Sequence, residues 1–324
     1  SSPEAQLRSL AKQLEISPEN YALYEERSLL YYSLDSVEQA KSDLQKAIEL
    51  FPDGPDLYFL QGFYAFVSND TANALANYPQ AFQVTDEFIT LDASLKTPQQ
   101  RNRIIAEVVQ ALIDDGVVAY TLDEPYSVKG HNNEVFFVID RALVPFMGFR
   151  SFGQHINGYV NKPDGLYLWI GTRARDRRIF PGMLDNMVAG GLPHGLSLQE
   201  NLVKECHEEA GMPEKLALQA KPVSAITYNA ISEKGYKPDT LYCYDIELSE
   251  EFTPENTDGE VEKFELLRVS DVINKVRQGG LFKPNCNLVL IDFFARHGLL
   301  DAQESEFLEI QQGLHVPFWY SRFE

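Results

Sequence analysis

The sequence predicts an α+β protein in which a mixed β-sheet packs with helices and follows an all-helical segment. Strand-like and helix-like segments alternate from residue 151 to about residue 300, which is typical of a sheet covered by helices. Residues 1–67 show helical periodicity and few strand signals. The 324 residues suffice for several domains, and we predict three regions: 1–67, 68–150 and 151–324.

The first region contains a pattern that resembles a tetratricopeptide repeat, in which small residues let two helices approach and larger residues fill the space between them. Counted from Tyr21, the matching positions are Tyr24, Ser28, Tyr31, Ala40, Leu44, Ala47 and Pro52. A second repeat starts at Pro55 and loses the pattern after about Ala65. So short an array does not form an independent solenoid. Two interpretations stay open: a module for a protein partner or self-association, and a helical cap on the following domain.

The middle region, residues 68–150, is predicted to be a small α+β domain. A helix should begin after Thr97, because Thr97 followed by Pro98 is a cap and first-turn pair, and it should end at Asp114-Asp115-Gly116. Strands are predicted at residues 81–85, 88–91, 117–120 and 135–139.

The third region should hold the sheet and the functional residues. Strands are predicted at residues 159–160, 167–171, 223–228, 241–246 and 264–267, and further helices at residues 270–278 and 287–297. Between them, a glycine loop at residues 190–196 precedes a short helix. Ser197 followed by Glu200 is a capping box, so this helix should begin near Leu198, and Gly211 should end it.

The charge pattern of that helix is unusual. Glu205, Glu208 and Glu209 stand at i, i+3 and i+4, so their carboxylates converge. Each like-charged pair costs about a few tenths of a kcal/mol, and burial at the edge of the apolar stripe adds to this cost. A hard divalent cation would remove both penalties, since Mg²⁺ prefers carboxylate ligands. A solvated acidic helix face is the alternative, and the net charge of −20 is consistent with it.

This stretch resembles the Nudix box, which places a glycine before the helical pattern REUxEExGU, where U is a large aliphatic residue. The matching residues are Gly190, Glu205, Glu208, Glu209, Gly211 and Met212. Lys204 replaces the usual arginine, and Leu196 stands where the box has its first glutamate. The resemblance implies an α/β/α sandwich with a mixed sheet and hydrolysis of a diphosphate to a monophosphate. It also implies Mg²⁺ or Mn²⁺ held by Glu205, Glu208, Glu209 and the carbonyl of Gly190.

A narrower resemblance covers residues 75–300. Residues 137–195 resemble Nudix proteins of fungi and plants that are related to the N-terminal part of certain thiamine pyrophosphokinases. This implies that thiamine diphosphate or its oxidised (oxo or oxy) derivatives are candidate substrates. Ser197, Glu200, Lys204 and Glu205 match the box of this subgroup, so the leucine at position 196 is interpreted as a subgroup feature.

Several other residues are candidates for the reaction. The general base is assigned to the loop before residue 264, with Glu262 as the candidate and Glu260 as its alternative; Glu200 could also replace the missing box glutamate, although its capping role is favoured. Substrate-binding candidates are Arg173, Arg177, His194 and Asn186, because arginine forks suit phosphate geometry and His194 lies in the glycine loop. His155, Asn157 and Asp185 also match subgroup positions.

Composition excludes several partner classes. The pI of about 4.7 argues against nucleic acid and against an anionic membrane surface. The three cysteines, Cys206, Cys243 and Cys286, have no metal-binding spacing, and we expect them to be small buried residues rather than disulfides. A cytoplasmic location is expected, with organelle import through a removed transit peptide left open.

Two other functions share the scaffold. An isopentenyl-diphosphate isomerase needs a cysteine just before the glycine loop, where this chain has none. A nucleotide- or diphosphate-binding module that recruits a partner through residues 1–67 is the alternative outside enzymes, and the intact set of three glutamates argues against it.

Overall fold

The structure is a computed structural model that describes residues 3–34, 36–51, 75, 78, 81–84, 89–130, 134–177, 179–232 and 235–315. The chain divides into two compact units. The first comprises Ser1–Phe149 and Asn229–Lys237, and the second comprises Arg150–Tyr228 and Pro238–Glu324. The predicted boundary after residue 150 lies beside this division. The predicted boundary after residue 67 lies outside the described residues.

The first unit begins with three helices: α1 (Pro3–Ile16), α2 (Tyr21–Ser33) and α3 (Val37–Leu50). Helices α2 and α3 approach closely because small residues lie between them. The Ser28 hydroxyl donates to the Ala40 carbonyl over 2.7 Å, and both residues are fully buried. The helical N-terminal prediction is therefore confirmed over the described part of residues 1–67. The assignment to a tetratricopeptide repeat stays a prediction, and its second repeat, from Pro55, lies outside the described residues.

Among the described elements of the rest of the first unit, a long helix packs against two small hairpins. Its elements are β1 (Phe82–Val84), β2 (Ile89–Leu91), α4 (Pro98–Asp114), β3 (Pro125–Lys129), β4 (Val135–Asp140) and a 3₁₀ turn, Arg141–Leu143. β1 pairs with β2 and β3 with β4, both antiparallel. Thr97 and Gln100 form the predicted start of α4 as a capping box. Leu112 of α4 and Phe137 of β4 are buried in the shared core.

The predicted strand at residues 117–120 is wrong. The backbone N–H groups of Val117 and Val118 both donate to the Leu112 carbonyl, so these residues close the end of α4. Helix ends leave carbonyls unsatisfied, and this local demand outweighs the β-propensity of two valines. The partner of β4 is instead β3, whose proline stands at the first position of the strand, where it costs little.

The second unit is built on a seven-stranded mixed sheet. Its strands are β5 (Ser151–Lys162), β6 (Gly165–Arg173), β7 (Leu184–Asp185), β8 (Val188–Gly191), β9 (Lys221–Ser232), β10 (Gly235–Glu247) and β11 (Val261–Arg268). The order is β11-β6-β5-β10-β9, with β7 on β6 and β8 on β5. β5 and β10 are parallel, whereas β5–β6, β6–β11, β6–β7 and β5–β8 are antiparallel.

Strands β5 and β6 separate part of the way along the sheet, and this separation makes room for the site. They pair only from Tyr159↔Leu168 to Lys162↔Gly165. Beyond that point β8 pairs with the first half of β5, and β7 pairs with the end of β6. The segment at residues 184–191 is therefore held between the two diverging strands.

Helices cover both faces of this sheet. They are α5 (Leu198–Ala210), α6 (Glu214–Ala217), α7 (Val269–Gln278), α8 (Pro284–Arg296) and α9 (Phe307–Gly313). Ile156 of β5 packs with Leu202 and Cys206 of α5 on one face. Leu168 of β6 packs with Phe293 of α8 on the other. The predicted α+β sandwich with a mixed sheet is confirmed.

Two further observations concern the cysteines and the described helices. Cys206, Cys243 and Cys286 are free and buried, as predicted. Among the described helices, none combines the length and the apolar character needed to cross a membrane.

Candidate metal and diphosphate site

Helix α5 is fixed at its first turn by the predicted capping box. The Ser197 Oγ accepts from the Glu200 backbone N–H over 3.2 Å, and a Glu200 carboxylate oxygen accepts from the Ser197 N–H over 2.9 Å. These bonds satisfy two of the donors that a helix start leaves free. The structure thus gives Glu200 a capping role at an exposed position.

The other end of α5 is fixed by a glycine and by a distant loop. Gly211 adopts a left-handed conformation, with φ of 61°, and its N–H donates to the His207 carbonyl. Thr257 adds a cap of its own, because its hydroxyl donates to the Glu208 carbonyl over 2.7 Å. The last turn, which carries the acidic residues, is therefore held from two sides.

Glu205 points at the segment between β5 and β6. A Cβ atom placed on Gly190 would overlap the Glu205 carboxyl group, so a larger residue here would require the Glu205 side chain to move. The Glu205 side chain is 12% exposed. Burial raises its pKa, because water no longer stabilises the charged form. The predicted pair of Gly190 and Glu205 is brought together.

Glu209 is the most deeply buried of the three glutamates, at 6% exposure. One carboxylate oxygen accepts the Ala189 backbone N–H over 2.8 Å. Burial, reinforced by the charge of Asp185, raises the pKa of Glu209 to about 8. Such a carboxylate is unstable as an isolated anion, and a bound cation would stabilise it.

Lys204 supplies a cation on the outer side of this group. Its ammonium lies 3.1 Å from Glu205 and 2.6 Å from Glu208, whose side chain is 42% exposed. Burial opposes the charged ammonium, but the hydrogen bond with Glu208 and the charge of Glu205 raise the pKa of Lys204 to about 12. Lys204 thus bridges Glu205 and Glu208, and Glu205 acts electrostatically on Glu209. The side chains of Glu205, Glu208 and Glu209 are called the carboxylate group below.

The two candidates for general base occupy different positions. Glu260 lies before β11 and contributes electrostatically to the raised pKa values of both Glu205 and Glu209. It also lies 2.9 Å from Arg177. Glu262 is exposed on β11 and pairs with Arg175 over 3.4 Å. The electrostatic interaction with Glu205 and Glu209 therefore favours Glu260, the alternative, over Glu262. The catalytic role of either residue stays a prediction.

The predicted phosphate-binding arginines are already paired. The Arg173 guanidinium donates to Asp185 over 2.9 Å, and both side chains are largely buried. Arg177 is partly exposed and reaches the carboxylate group through Glu260. His194 is exposed in the glycine loop. The assignment of these residues to substrate binding stays a prediction.

Asn186 belongs to the segment at residues 184–191 and joins it to a buried polar network. Its side chain contacts the His155 ring nitrogen Nδ1 at 2.8 Å and donates to Asn157 over 3.0 Å. Asn157 in turn donates to Asp245 over 3.0 Å. The predicted Asn186 therefore holds the position of residues that precede Gly190, and its burial at 2% exposure indicates a structural role.

Two residues of the site's framework escaped sequence reasoning. Gln154 of β5 donates to the Leu198 carbonyl and accepts from Asn201, which also donates to the Gly191 carbonyl. These bonds attach the start of α5 to the glycine loop. The available signal was a polar residue, Asn201, beside Leu198 and Leu202 on the apolar side of the helix.

The residues present fit a hard divalent cation. Glu205 interacts electrostatically with Glu208 and with Glu209, burial raises the pKa of Glu205 and of Glu209, and the backbone of Gly190 lies against the Glu205 carboxyl group. Oxygen donors of this kind suit Mg²⁺ or Mn²⁺. The group therefore has the composition of a metal site that could hold a diphosphate.

Two family models match the chain. Residues 155–284 match the NUDIX domain, and residues 62–151 match a domain of unknown function, DUF4743. The first match contains Gly190, the glutamates of α5 and Glu260. The second covers the whole of the predicted middle region, residues 68–150.

The chain is also similar to individual proteins. It is 44% identical to Nudix hydrolase 20, chloroplastic, of Arabidopsis thaliana, over 71% of this chain and 62% of that protein. It is 37% identical to Nudix hydrolase 24, chloroplastic, of the same plant, over 87% of this chain and 77% of that protein. The alignment thus spans less than two thirds of the first relative.

Among solved structures, the chain is similar to the crystal structure of DR0079 from Deinococcus radiodurans. That similarity has 21% identity and a TM-score of 0.40, and it covers 52% of this chain and 97% of that one.

Proposed function

Because the chain belongs to the Nudix hydrolase family, we propose that it is a metal-dependent diphosphatase that cleaves a diphosphate linkage to give a monophosphate. The observation that supports this most is the burial of Glu205 and Glu209 without a full set of compensating cations. A protein that only needed a stable helix would gain by replacing them. A metal site explains why they are present.

In this proposal Glu205, Glu208 and Glu209 hold Mg²⁺ or Mn²⁺ with the Gly190 carbonyl. When bound, the metal neutralises phosphate oxygens and lowers the pKa of water. The chain's own residues position the reactants, which is the main requirement of phosphoryl transfer. Ala189 holds Glu209 through its N–H, Lys204 orients Glu205 and Glu208, and Glu260 accepts a proton from the attacking water.

The substrate proposal is narrower than the reaction class. Residues 137–195 resemble Nudix proteins related to thiamine pyrophosphokinases, so thiamine diphosphate and its oxo and oxy derivatives are the first compounds to test. The reaction would release inorganic phosphate and the corresponding thiamine monophosphate. Nucleoside diphosphate sugars and dinucleotides serve as comparison substrates.

The test uses the purified full chain with Mg²⁺ and this substrate panel, with products identified by mass spectrometry. We expect one compound class to yield a monophosphate, and EDTA to abolish the reaction. Glu208→Gln should reduce activity at least a hundredfold, whereas Glu214→Gln, in the exposed turn that follows, should leave it unchanged. If no compound is cleaved but one still binds in a Mg²⁺-dependent way, the chain is a binding module and the diphosphatase proposal is wrong.

Two further expectations belong to the same proposal. The plant relatives are designated chloroplastic, so an organelle joins the cytoplasm as a candidate location, and imaging of the tagged full-length protein distinguishes them. The N-terminal helices are proposed to support a protein partner or self-association. Analytical ultracentrifugation of the chain with and without residues 1–51 tests the self-association.

A further inference from the structure

Asp185, in the segment that precedes Ala189, accepts hydrogen bonds from four donors. One of its oxygens, Oδ2, accepts from Arg173 over 2.9 Å and lies 3.4 Å from the Lys283 ammonium. The other oxygen, Oδ1, accepts from the Cys286 thiol over 2.6 Å and from the Asn186 backbone N–H over 2.9 Å. Both oxygens are therefore fully used, and the shorter of the two cationic contacts is the one with Arg173.

Lys283 is the less tightly held of the two cations. Its distance of 3.4 Å exceeds that of an ordinary charge-assisted hydrogen bond. Within the described part of the chain Asp185 is the only hydrogen-bond partner of the Lys283 ammonium, and an ammonium carries three donors. Its side chain is 17% exposed, compared with 12% for Arg173 and 7% for Asp185. Lys283 thus retains free donors at a partly open position.

Asp185 is also close in the chain to a backbone group that binds one of the proposed metal ligands. Asp185 ends β7, and after four more residues the Ala189 N–H binds Glu209. Asp185 pairs with Gly171 of β6, next to Thr172↔Leu184. Asp185 acts electrostatically on Glu209, and Glu209 acts on Lys283, so the charges of these three groups interact.

The surroundings of Asp185 suit an anion better than a second metal ion. The ligand atoms of His155, Asp185 and Cys286 do lie within 4.8 Å of one another. However, Arg173 and Lys283 both lie on Asp185, and two cations there would repel a third. Burial also raises the pKa of the Cys286 thiol well above its usual range, so the metal-binding thiolate is disfavoured.

We propose that Lys283 binds a phosphate oxygen of the substrate's diphosphate, while Arg173 remains fixed on Asp185 as the support of the pair. This inference rests on the proposed function, since it takes the diphosphate to lie on the metal held by Glu205, Glu208 and Glu209. It transfers the phosphate-binding role from Arg173, the sequence candidate, to a lysine that no motif marked.

The test measures binding of methylenediphosphonate, a diphosphate that cannot be hydrolysed, to the full chain with Mg²⁺ by isothermal titration calorimetry. Lys283→Met should weaken binding about tenfold or more, the effect of losing one charge-assisted hydrogen bond. Lys283→Arg should recover most of it. The control is Lys162→Met, which removes a cation of comparable burial, 27% exposed, that pairs with Glu250.

In turnover assays Lys283→Met should raise KM more than it lowers kcat. Arg173 still holds Asp185 in this variant, so the thermal midpoint should stay within a few degrees of the parent protein. Binding by Lys283→Met within twofold of the parent would overturn the inference, as would loss of binding in Lys162→Met to the same degree. If the parent binds the probe through Lys283 but cleaves no substrate, the diphosphatase proposal fails and the anion site stands.

Discussion

Two groups of buried carboxylates in the second unit differ in how their charge is compensated. Asp185 is held by Arg173, Lys283 and two further donors, and Asp245 by Arg296, His297 and Asn157. Glu209 has one backbone N–H as its hydrogen-bond donor among the described residues, and it faces other acids.

The pKa values follow this difference. Although burial acts in the opposite direction, the charge of Lys283 and its neighbours lowers the pKa of Asp185. Burial raises the pKa of Glu205 and Glu209. Asp185 and Asp245 are thus paired with basic side chains. Glu205 shares the cation Lys204 with Glu208, and none of the described ion pairs involves Glu209. The absence of compensation is thus more informative than burial itself.

The largest expected effect comes from neutralising an uncompensated carboxylate. Glu209→Gln keeps the shape and still accepts the Ala189 N–H, but it loses a metal ligand. We expect kcat/KM to fall about a hundredfold to a thousandfold, as for the loss of a strongly stabilising group in a transition state. The metal-free variant should be at least as stable as the parent, because a buried charge is removed. Full activity in steady-state assays would contradict the metal assignment.

The opposite result is expected for a compensated carboxylate. Asp245 lies 2.5 Å from Arg296 and 3.3 Å from His297, so Asp245→Ala leaves buried donors without a partner. The free energy of unfolding should fall by about 3 kcal/mol or more, measured by urea denaturation. Mg²⁺ affinity of the folded fraction should change little. A loss of metal affinity with unchanged stability would reverse the distinction between the two groups.

A smaller effect is a pH dependence that only the uncompensated group should show. In the metal-free protein the pKa of Glu209 is about 8, above the value of about 4.3 for an unfolded chain. Between these values the folded state binds more protons, so the free energy of unfolding contributed by this group falls as pH rises. Bound Mg²⁺ must displace that proton, so its apparent affinity should rise by up to about tenfold per pH unit towards pH 8.

Calorimetry in two buffers with different ionisation enthalpies measures the proton released on Mg²⁺ binding. Glu209→Gln is the matched control, and it should release fewer protons than the parent at pH 7. Equal proton release by both proteins would place the titration on another residue.

The smallest effect concerns the first turn of α5, where the sequence left two roles open for Glu200. Ser197→Ala should lower stability by about 1 kcal/mol through loss of the cap, seen as a shift of about 2–4 °C in the thermal midpoint. Glu200→Gln should keep both the cap and the catalytic rate, because glutamine also completes a capping box. A large loss of activity in Glu200→Gln would identify Glu200 as the replacement for the missing box glutamate.

Local signals were the predictable part of this molecule. Ser197 with Glu200 gave the start of α5, Gly211 gave its end, and Thr97 with Pro98 gave the start of α4, because each depends on residues within one turn. That Glu205, Glu208 and Glu209 share one side of α5 followed from helical spacing alone. The prediction of a strand at residues 117–120 was wrong because a carbonyl at the end of α4 accepts the backbone N–H groups of Val117 and Val118.

The surroundings of the site could not be predicted in the same way. Lys283 and Cys286 lie 98 and 101 residues from Asp185 in the chain. No local pattern connects them, and their meeting depends on the sheet order that places β7 beside the start of α8. The substrate-binding roles of Arg173 and Asn186 stay predictions. Their side-chain partners, which are Asp185 for Arg173 and His155 and Asn157 for Asn186, lie 12 to 31 residues away in the chain.

The grouping of residues 229–237 with the first unit has a consequence for dissecting the protein. Gly235 lies where an added Cβ would overlap the Pro145 carbonyl, so the start of β10 packs on residues that precede the sheet. A fragment beginning at Arg150 would keep every glutamate of α5 yet expose the start of β10. Limited proteolysis should therefore not release an intact catalytic half with a single cut near residue 150. A loss of activity in such a fragment would therefore reflect the removal of residues 1–149 as much as any property of the proposed site.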